Sequence, residues 1–207
     1  MNLISLINFI IEHKQYKNYL ELGVHNGATF MGINCRNKVS VDNMSSRGGF
    51  IPTHQMTTDI FFEKVAPTLK EKFDIIFVDA FHESAQTYRD IASSLLYLEK
   101  DGLIITHDTL PHAKGEIVLT GQGTSYESFM RLRCENSDLA MCSLDFYHEP
   151  TVEEGIGVGI IKNGHQKTYK IDESDRILSQ WDLYVKNKRE LMNIIPASSF
   201  GRWLDEN

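Results

Sequence analysis

An α/β fold built on an open, doubly wound and mostly parallel sheet is the class this sequence predicts, on three observations. Short apolar runs alternate with amphipathic stretches through most of the 207 residues, so strands and helices take turns along the chain. The runs are rich in Ile, Val and Leu and stop at polar residues, as strands do when both faces of a parallel sheet are covered. The last two candidate strands are joined by a short link, and a parallel crossover needs a dozen residues or more, so one of the two runs backwards.

Taken in order, Leu3–Ile11 reads as a helix covering an edge of the sheet. It is too short to cross a bilayer and lacks the basic start and small-residue cleavage site of a leader, which places the protein in the cytoplasm. Candidate strands follow at Tyr19–Val24, Lys38–Asp42, Asp74–Asp79 and Leu103–His107. Between them lie candidate helices at Thr29–Cys35, Asp59–Leu69 and Ser84–Leu98. Pro67 must kink or shorten the second. The third carries Tyr88, Ile91, Leu95 and Leu98 at helical spacing, with Ser84 expected as its N-cap and Gly102 as the left-handed residue beyond its end. Thr109–Gly123, with Pro111, Gly115, Gly121 and Gly123, reads as a long mobile loop over the site. A helix is expected over Tyr126–Arg133, then strands Leu139–Leu144 and Ile156–Ile161, whose link holds Pro150, two acidic residues and Gly155. A last helix over Asp175–Asn193 carries Ile177, Trp181, Tyr184, Val185 and Leu191, and Phe200–Leu204 follows Pro196. The aromatic residues of this tail are expected to dock on the chain's own sheet, though a homo-oligomer contact is the alternative.

Composition narrows the function. Hydrophobic residues make up 42% and charged residues 24%, ordinary for a globular domain able to bury its own core. The formal net charge of −7 argues against nucleic-acid partners, which favour a basic face. The one basic run, Lys186-Asn187-Lys188-Arg189, reads as a solvated helix face. The three cysteines show no CxxC spacing, which fits a reducing compartment and excludes a zinc-thiolate site.

Three segments carry chemistry. In Glu21-Leu22-Gly23-Val24-His25-Asn26-Gly27 a strand runs into glycines and a helix begins, at the carboxyl end of the strands where open α/β sheets bind ligands. Glycines let the backbone approach a ligand, and helix amides meet its carboxylate or phosphate. His25 stands where the dinucleotide fingerprint has its middle glycine. Asp42 ends the next strand, placed to accept hydrogen bonds from a ribose diol. Asp79 and His82 end another, and His107 and Asp108 a fourth. Gathered on one rim, these groups suit a hard divalent cation on Asp79 and Asp108 with His107 near it, and His82 as a general base.

ELGVHNG (21–27), SVD (40–42), FDIIFVDAFHES (73–84), YRDI (88–91) and LEKDGLIITHD (98–108) together resemble the class I S-adenosylmethionine-dependent methyltransferases, and within them methyltransferase family 24, a small-molecule and sugar O-methyltransferase group. The resemblance runs from about Tyr19 to Asn163. It implies a Rossmann-like seven-stranded sheet of order 3-2-1-4-5-7-6 with the seventh strand antiparallel. It also implies a cofactor-binding domain over residues 1–165, with 166–207 as a C-terminal helical extension of the same domain. Gly23, His25 and Gly27 would then cradle the methionine part of S-adenosylmethionine, with Asp79 beside them. Glu21 would support the turn, Asp42 bind the ribose, and Asp59 lie near the adenine. In metal-dependent members the Asp of a D-x-x-H segment and an acidic pair after the fifth strand hold magnesium. Asp79, His82 and Asp108 match, whereas His107 replaces an acidic residue, which shifts the expectation from Mg2+ towards Mn2+. The implied reaction is methylation of a hydroxyl on a small acceptor. The rival readings are a nicotinamide oxidoreductase, a metal hydrolase and a non-catalytic binding protein of the same fold.

Overall fold

The computed structural model describes residues 2–44, 49–118, 121–146 and 157–206. Seven strands form one sheet: β1 (Asn18–Leu22), β2 (Asn37–Asp42), β3 (His54–Gln55), β4 (Phe73–Val78), β5 (Leu98–Thr106), β6 (Leu139–Asp145) and β7 (Gly157–Asn163). Their order is β3-β2-β1-β4-β5-β7-β6. β7 is antiparallel to both neighbours and the other pairings are parallel. This is the expected topology, down to the reversed strand. The link with Pro150 and Gly155 lies outside the described residues.

Side chains alternate across each strand and both sets are buried. Leu20, Leu22, Ile76, Val78 and Ile104 join one core. Tyr19, Ile75, Phe77, Leu103 and Ile105 join the other. The first core is covered by α3 (Thr58–Ile60) and the turns continuing it, α4 (Ser84–Leu96), α5 (Ser125–Glu135) and α6 (Gln180–Leu191). The second is covered by α1 (Leu3–Lys14) and α7 (Ala197–Asp205), while the short α2 (Ala28–Gly32) opens the turn after β1. Pro67 has the expected effect: α3 widens into a π-helical turn at Phe61–Val65 and ends as a 3-10 turn at Ala66–Thr68. The aromatic tail docks on its own chain. Trp181 and Tyr184 pack on Tyr126, and Trp203 receives the Lys162 ammonium over its ring. None of the described helices is long and apolar enough to cross a membrane.

Three local expectations are corrected. Gly102 lies inside β5 rather than at a helix end, because β5 starts at Leu98, directly after α4. A Cβ there would come within 2.8 Å of the Asp74 carbonyl oxygen, so glycine serves close strand packing. Ser84 is the first helical residue of α4 and not its cap. Its amide donates instead to Thr124 Oγ1, 2.8 Å away and forty residues on in sequence. Finally, α6 starts at Gln180 because Ser179 caps it, accepting from the Asp182 amide at 3.1 Å.

Candidate active site

The carboxyl ends of β1, β2 and β4 enclose a cavity of about 200 Å³, lined on one side by Gly23, Asp42 and Asn43 and on the other by Met56–Asp59, Phe81 and Gln86. Its floor is the turn after β1, whose backbone is left-handed at Gly23 (φ +85°), His25 (φ +46°) and Gly27 (φ +77°). Gly23 has no substitute: a Cβ would sit 2.1 Å from the Asp79 carbonyl oxygen. At Gly27 a Cβ would meet the Phe50 ring at 2.4 Å. Asp42 fixes the turn, since its Oδ2 accepts from the amides of Val24 and His25, each at 2.9 Å. Its Oδ1 accepts from the Met44 amide, also at 2.9 Å.

The hydrogen bonds to the turn's amides thus come from Asp42, while Glu21 lies in β1 just before it. It is 1% exposed, and its Oε2 accepts from the Tyr19 hydroxyl at 2.5 Å. Burial pushes its pKa up to about 8, against the Tyr19 hydrogen bond, so it is largely neutral at pH 7.

Beside the cavity, two carboxylates and two imidazoles meet. His82 Nε2 lies 3.3 Å from Asp79 Oδ1, and its Nδ1 lies 3.3 Å from Asp108 Oδ2. His107 Nδ1 faces the same two acids, at 3.4 Å from Asp79 Oδ1 and 3.0 Å from Asp108 Oδ1. Burial would raise the Asp79 pKa, but the neighbouring His107 and His82 outweigh it and hold the carboxyl at about 2. The hydrogen bond to Asp79 drives His82 up to about 9 against partial burial, helped by the Gly121 carbonyl 2.6 Å from its Nδ1. Burial lowers the His107 pKa, yet Asp79 and Asp108 overcome this and raise it well above the usual imidazole value. The surrounding acids thus favour the charged form of each imidazole. Asp108 itself is left-handed (φ +56°), which turns the chain sharply after β5 and brings its carboxylate back to His82.

The ligand atoms of Asp79, His82 and Asp108 all lie within 4.8 Å of one another, a grouping able to hold a metal ion. Asp79 Oδ1 is buried and faces both imidazoles only at long range, 3.3 and 3.4 Å, without a hydrogen bond of regular geometry. A buried carboxylate oxygen left this way is costly, and a cation would satisfy it. The residues thus fit a hard or borderline divalent ion. The converging imidazole is that of His82; His107, expected in the metal set, contacts both carboxylates but stands outside the grouping.

Residues 20–109 match the model of methyltransferase family 24, described as a methyltransferase domain. The matched segment, just under half of the chain, runs from β1 to the turn after β5 and holds the glycine turn and the acid–imidazole cluster. Solved structures share its fold. An O-methyltransferase from Bacillus cereus in complex with SAH superposes with a TM-score of 0.54 at 13% identity, over 77% of this chain and 80% of that one. The SAH-bound methyltransferase PaMTH1 of Podospora anserina gives 0.54 at 18% identity, over 77% of each chain. TomG, the O-methyltransferase of tomaymycin synthesis in Streptomyces achromogenes, in complex with SAM, gives 0.51 at 14%, over 78% and 79%. No curated protein sequence matches the chain.

The family match favours the methyl-transfer reading over the oxidoreductase and hydrolase ones. The structure brings Gly23, Asp42 and Asp59 to one cavity and Asp79, His82, His107 and Asp108 to one cluster. His25 and Gly27 belong to the turn but not to the cavity lining. Sequence reasoning missed Gln86, whose Nε2 donates to Thr58 Oγ1, Asp59 Oδ1 and Asp90 Oδ1 at 3.1, 3.1 and 3.0 Å and so ties α4 to the far cavity wall. Its place in the first turn of α4, at the rim, was the available signal. Lys188 was missed too: it is half-buried rather than part of a solvated face.

Proposed function

We propose that this protein transfers the methyl group of S-adenosylmethionine to a hydroxyl of a small polar acceptor, a sugar or natural-product-like molecule, with a divalent cation, Mg2+ or Mn2+, assisting. One observation carries the reading: the glycine-turn cavity and the acid–imidazole cluster share the segment Asp79–His82. Ala80 and Phe81 line the cavity, while Asp79 and His82 on either side of them form the cluster. A methyl donor in the cavity and a hydroxyl at the cluster would be held next to each other, and such positioning removes much of the barrier to an in-line transfer.

Each residue then has a part. Gly23 lets the turn pass close beneath the methionine portion of the donor. Asp42 spends three acceptor positions on backbone amides, and a carboxylate offers about four, so one remains for a ribose hydroxyl. Thr58 and Asp59, braced by Gln86, face the adenine end. Asp79 and Asp108 hold the cation, which when bound supplies Lewis acidity that eases loss of the acceptor's proton. His82 accepts that proton. Facing the two carboxylates it holds its own proton, and it would be free to act as a base at neutral pH with their charge drawn to a cation.

The test is SAH formation from a panel of hydroxylated acceptors, with and without Mg2+ or Mn2+. The reading expects turnover that a chelator abolishes and either ion restores. Turnover indifferent to chelation removes the cation. Failure of wild-type protein to bind S-adenosylmethionine removes the whole reading.

A further inference from the structure

A second cavity, of about 580 Å³, opens at the far corner of the same rim. Its walls are His112 from the loop after β5, Asp145 at the end of β6, Lys188 and Arg189 at the end of α6, and the stretch Ile194–Ser198 that leads into α7. The register of the sheet locates it. Thr106 of β5 and Ser143 of β6 both pair with Gly159 of β7, so the ends of β5 and β6 stand level, two strand spacings apart. That is about 10 Å. Residues 108–112 bridge the interval, crossing the start of β7, where a Cβ on Gly157 would come within 2.3 Å of Leu110 Cβ.

The lining is cationic in a chain whose net charge is −7. Lys186, on the same helix, is neutralised by Asp175 at 2.5 Å and belongs to the fold. Lys188 instead turns into the cavity, its side chain 22% exposed, with Nζ 4.0 Å from Asp145 Oδ2 and 3.4 Å from His112 Nε2. The exposed Arg189 side chain makes no ion pair among the described residues. Among the described residues, Lys188 and Arg189 thus share this cavity with Asp145, and Glu116 also acts on Lys188. The N-terminus of the nine-residue α7 also opens at this cavity without a side-chain cap, which adds to the positive potential. Holding a half-buried ammonium costs desolvation energy, which an anionic ligand would offset.

We propose that this groove binds an acidic group, a phosphate or a carboxylate, carried by the methyl acceptor. The inference rests on the methyl-transfer reading: the acceptor's reacting hydroxyl lies at the Asp79–His82–Asp108 cluster and its acid at Lys188 and Arg189. A phosphorylated or uronic sugar carries both groups on one small molecule, whereas a bare hydroxyl compound carries only the first.

The experiment uses the full chain saturated with SAH, so that the glycine turn is already filled. Glucose 6-phosphate, glucuronate and glucose are titrated at low ionic strength, followed by thermal shift and calorimetry. The two acids raise Tm and bind measurably, glucose does neither, and the stronger acid names the group. Arg189→Glu, at an exposed position, weakens binding of the acids by at least about tenfold while SAH affinity stays unchanged. Equal behaviour of acids and glucose, or wild-type acid binding in Arg189→Glu, overturns the proposal. If SAH does not bind at all, the methyl-transfer reading fails, and the same titrations on SAH-free protein still decide whether the groove takes an acid.

Discussion

The glycine-turn cavity and the acid–imidazole cluster are neighbours on one rim, yet they are built in opposite ways. The cavity is a backbone structure: a missing side chain at Gly23, three left-handed residues, and amides tied to one carboxylate. The cluster is a side-chain structure whose two acids and two imidazoles hold one another by charge. Ala80 serves the first and Asp79 the second. The contrast teaches that a binding surface for an invariant ligand can be set by shape, whereas a reacting centre needs groups whose charge responds to what arrives. The first should break when an atom is added, the second when a charge is changed.

The largest effect is expected from Gly23→Ala. With φ at +85° and a Cβ driven into the Asp79 carbonyl, β1 and β4 must shift apart. SAH binding by calorimetry should be lost and stability should fall by on the order of 3 kcal/mol. Next comes His82→Gln, which removes an ionisable group and leaves the cavity lining intact. Methyl transfer should slow by roughly 10²–10⁴-fold with SAH affinity unchanged; a parallel loss of affinity would show that the two regions are not separable. Asp42→Asn is intermediate, because the amide keeps one acceptor oxygen but loses the charge that holds three amides. A rise in SAH Kd of roughly 10- to 100-fold is expected, with no change in the pH profile of turnover.

A separate effect, on the pH dependence of stability rather than on binding or turnover, concerns the buried Glu21. Its folded pKa of about 8 lies above the unfolded value, which is about 4.3 for a glutamate. Between those values the folded state binds the extra proton, so this group's contribution is complete below pH ~4.3 and is lost progressively as pH rises towards 8. Glu21→Gln should remove that slope, which is at most about 1.4 kcal/mol per pH unit. Denaturant midpoints from pH 5 to 8 measure it, and an unchanged slope would place the titration elsewhere.

The strands and the reversed last pair were legible because they depend on local signs: apolar runs, polar stops, and one link too short for a crossover; the strand order came with the family resemblance. The same holds for Gly23, Asp42, Asp79 and His82, which stand at strand ends where chemistry is exposed. What escaped depends on partners distant in sequence. That Asp42 holds the turn needs the register of β1 against β2. That His82 rather than His107 completes the converging set depends on the left-handed turn at Asp108, a position without glycine to announce it. The cap of α4 is supplied from Thr124, and the burial of Lys188 follows from the path of α6 past the end of β6. Periodicity reports which face a residue occupies, and it is silent on what that face meets.

The Thr124 cap has a consequence for how the protein could be watched at work. The Thr124 amide also donates to the His82 carbonyl at 2.8 Å, and Gly121 reaches the His82 ring, so the end of the long loop is fastened to the start of α4 by its backbone and by the imidazole. Opening the loop must release the Ser84 amide from Thr124 Oγ1. That single proton is then a clock: its exchange with deuterated solvent counts how often the loop lifts, and it should slow when an acceptor fills the space beneath.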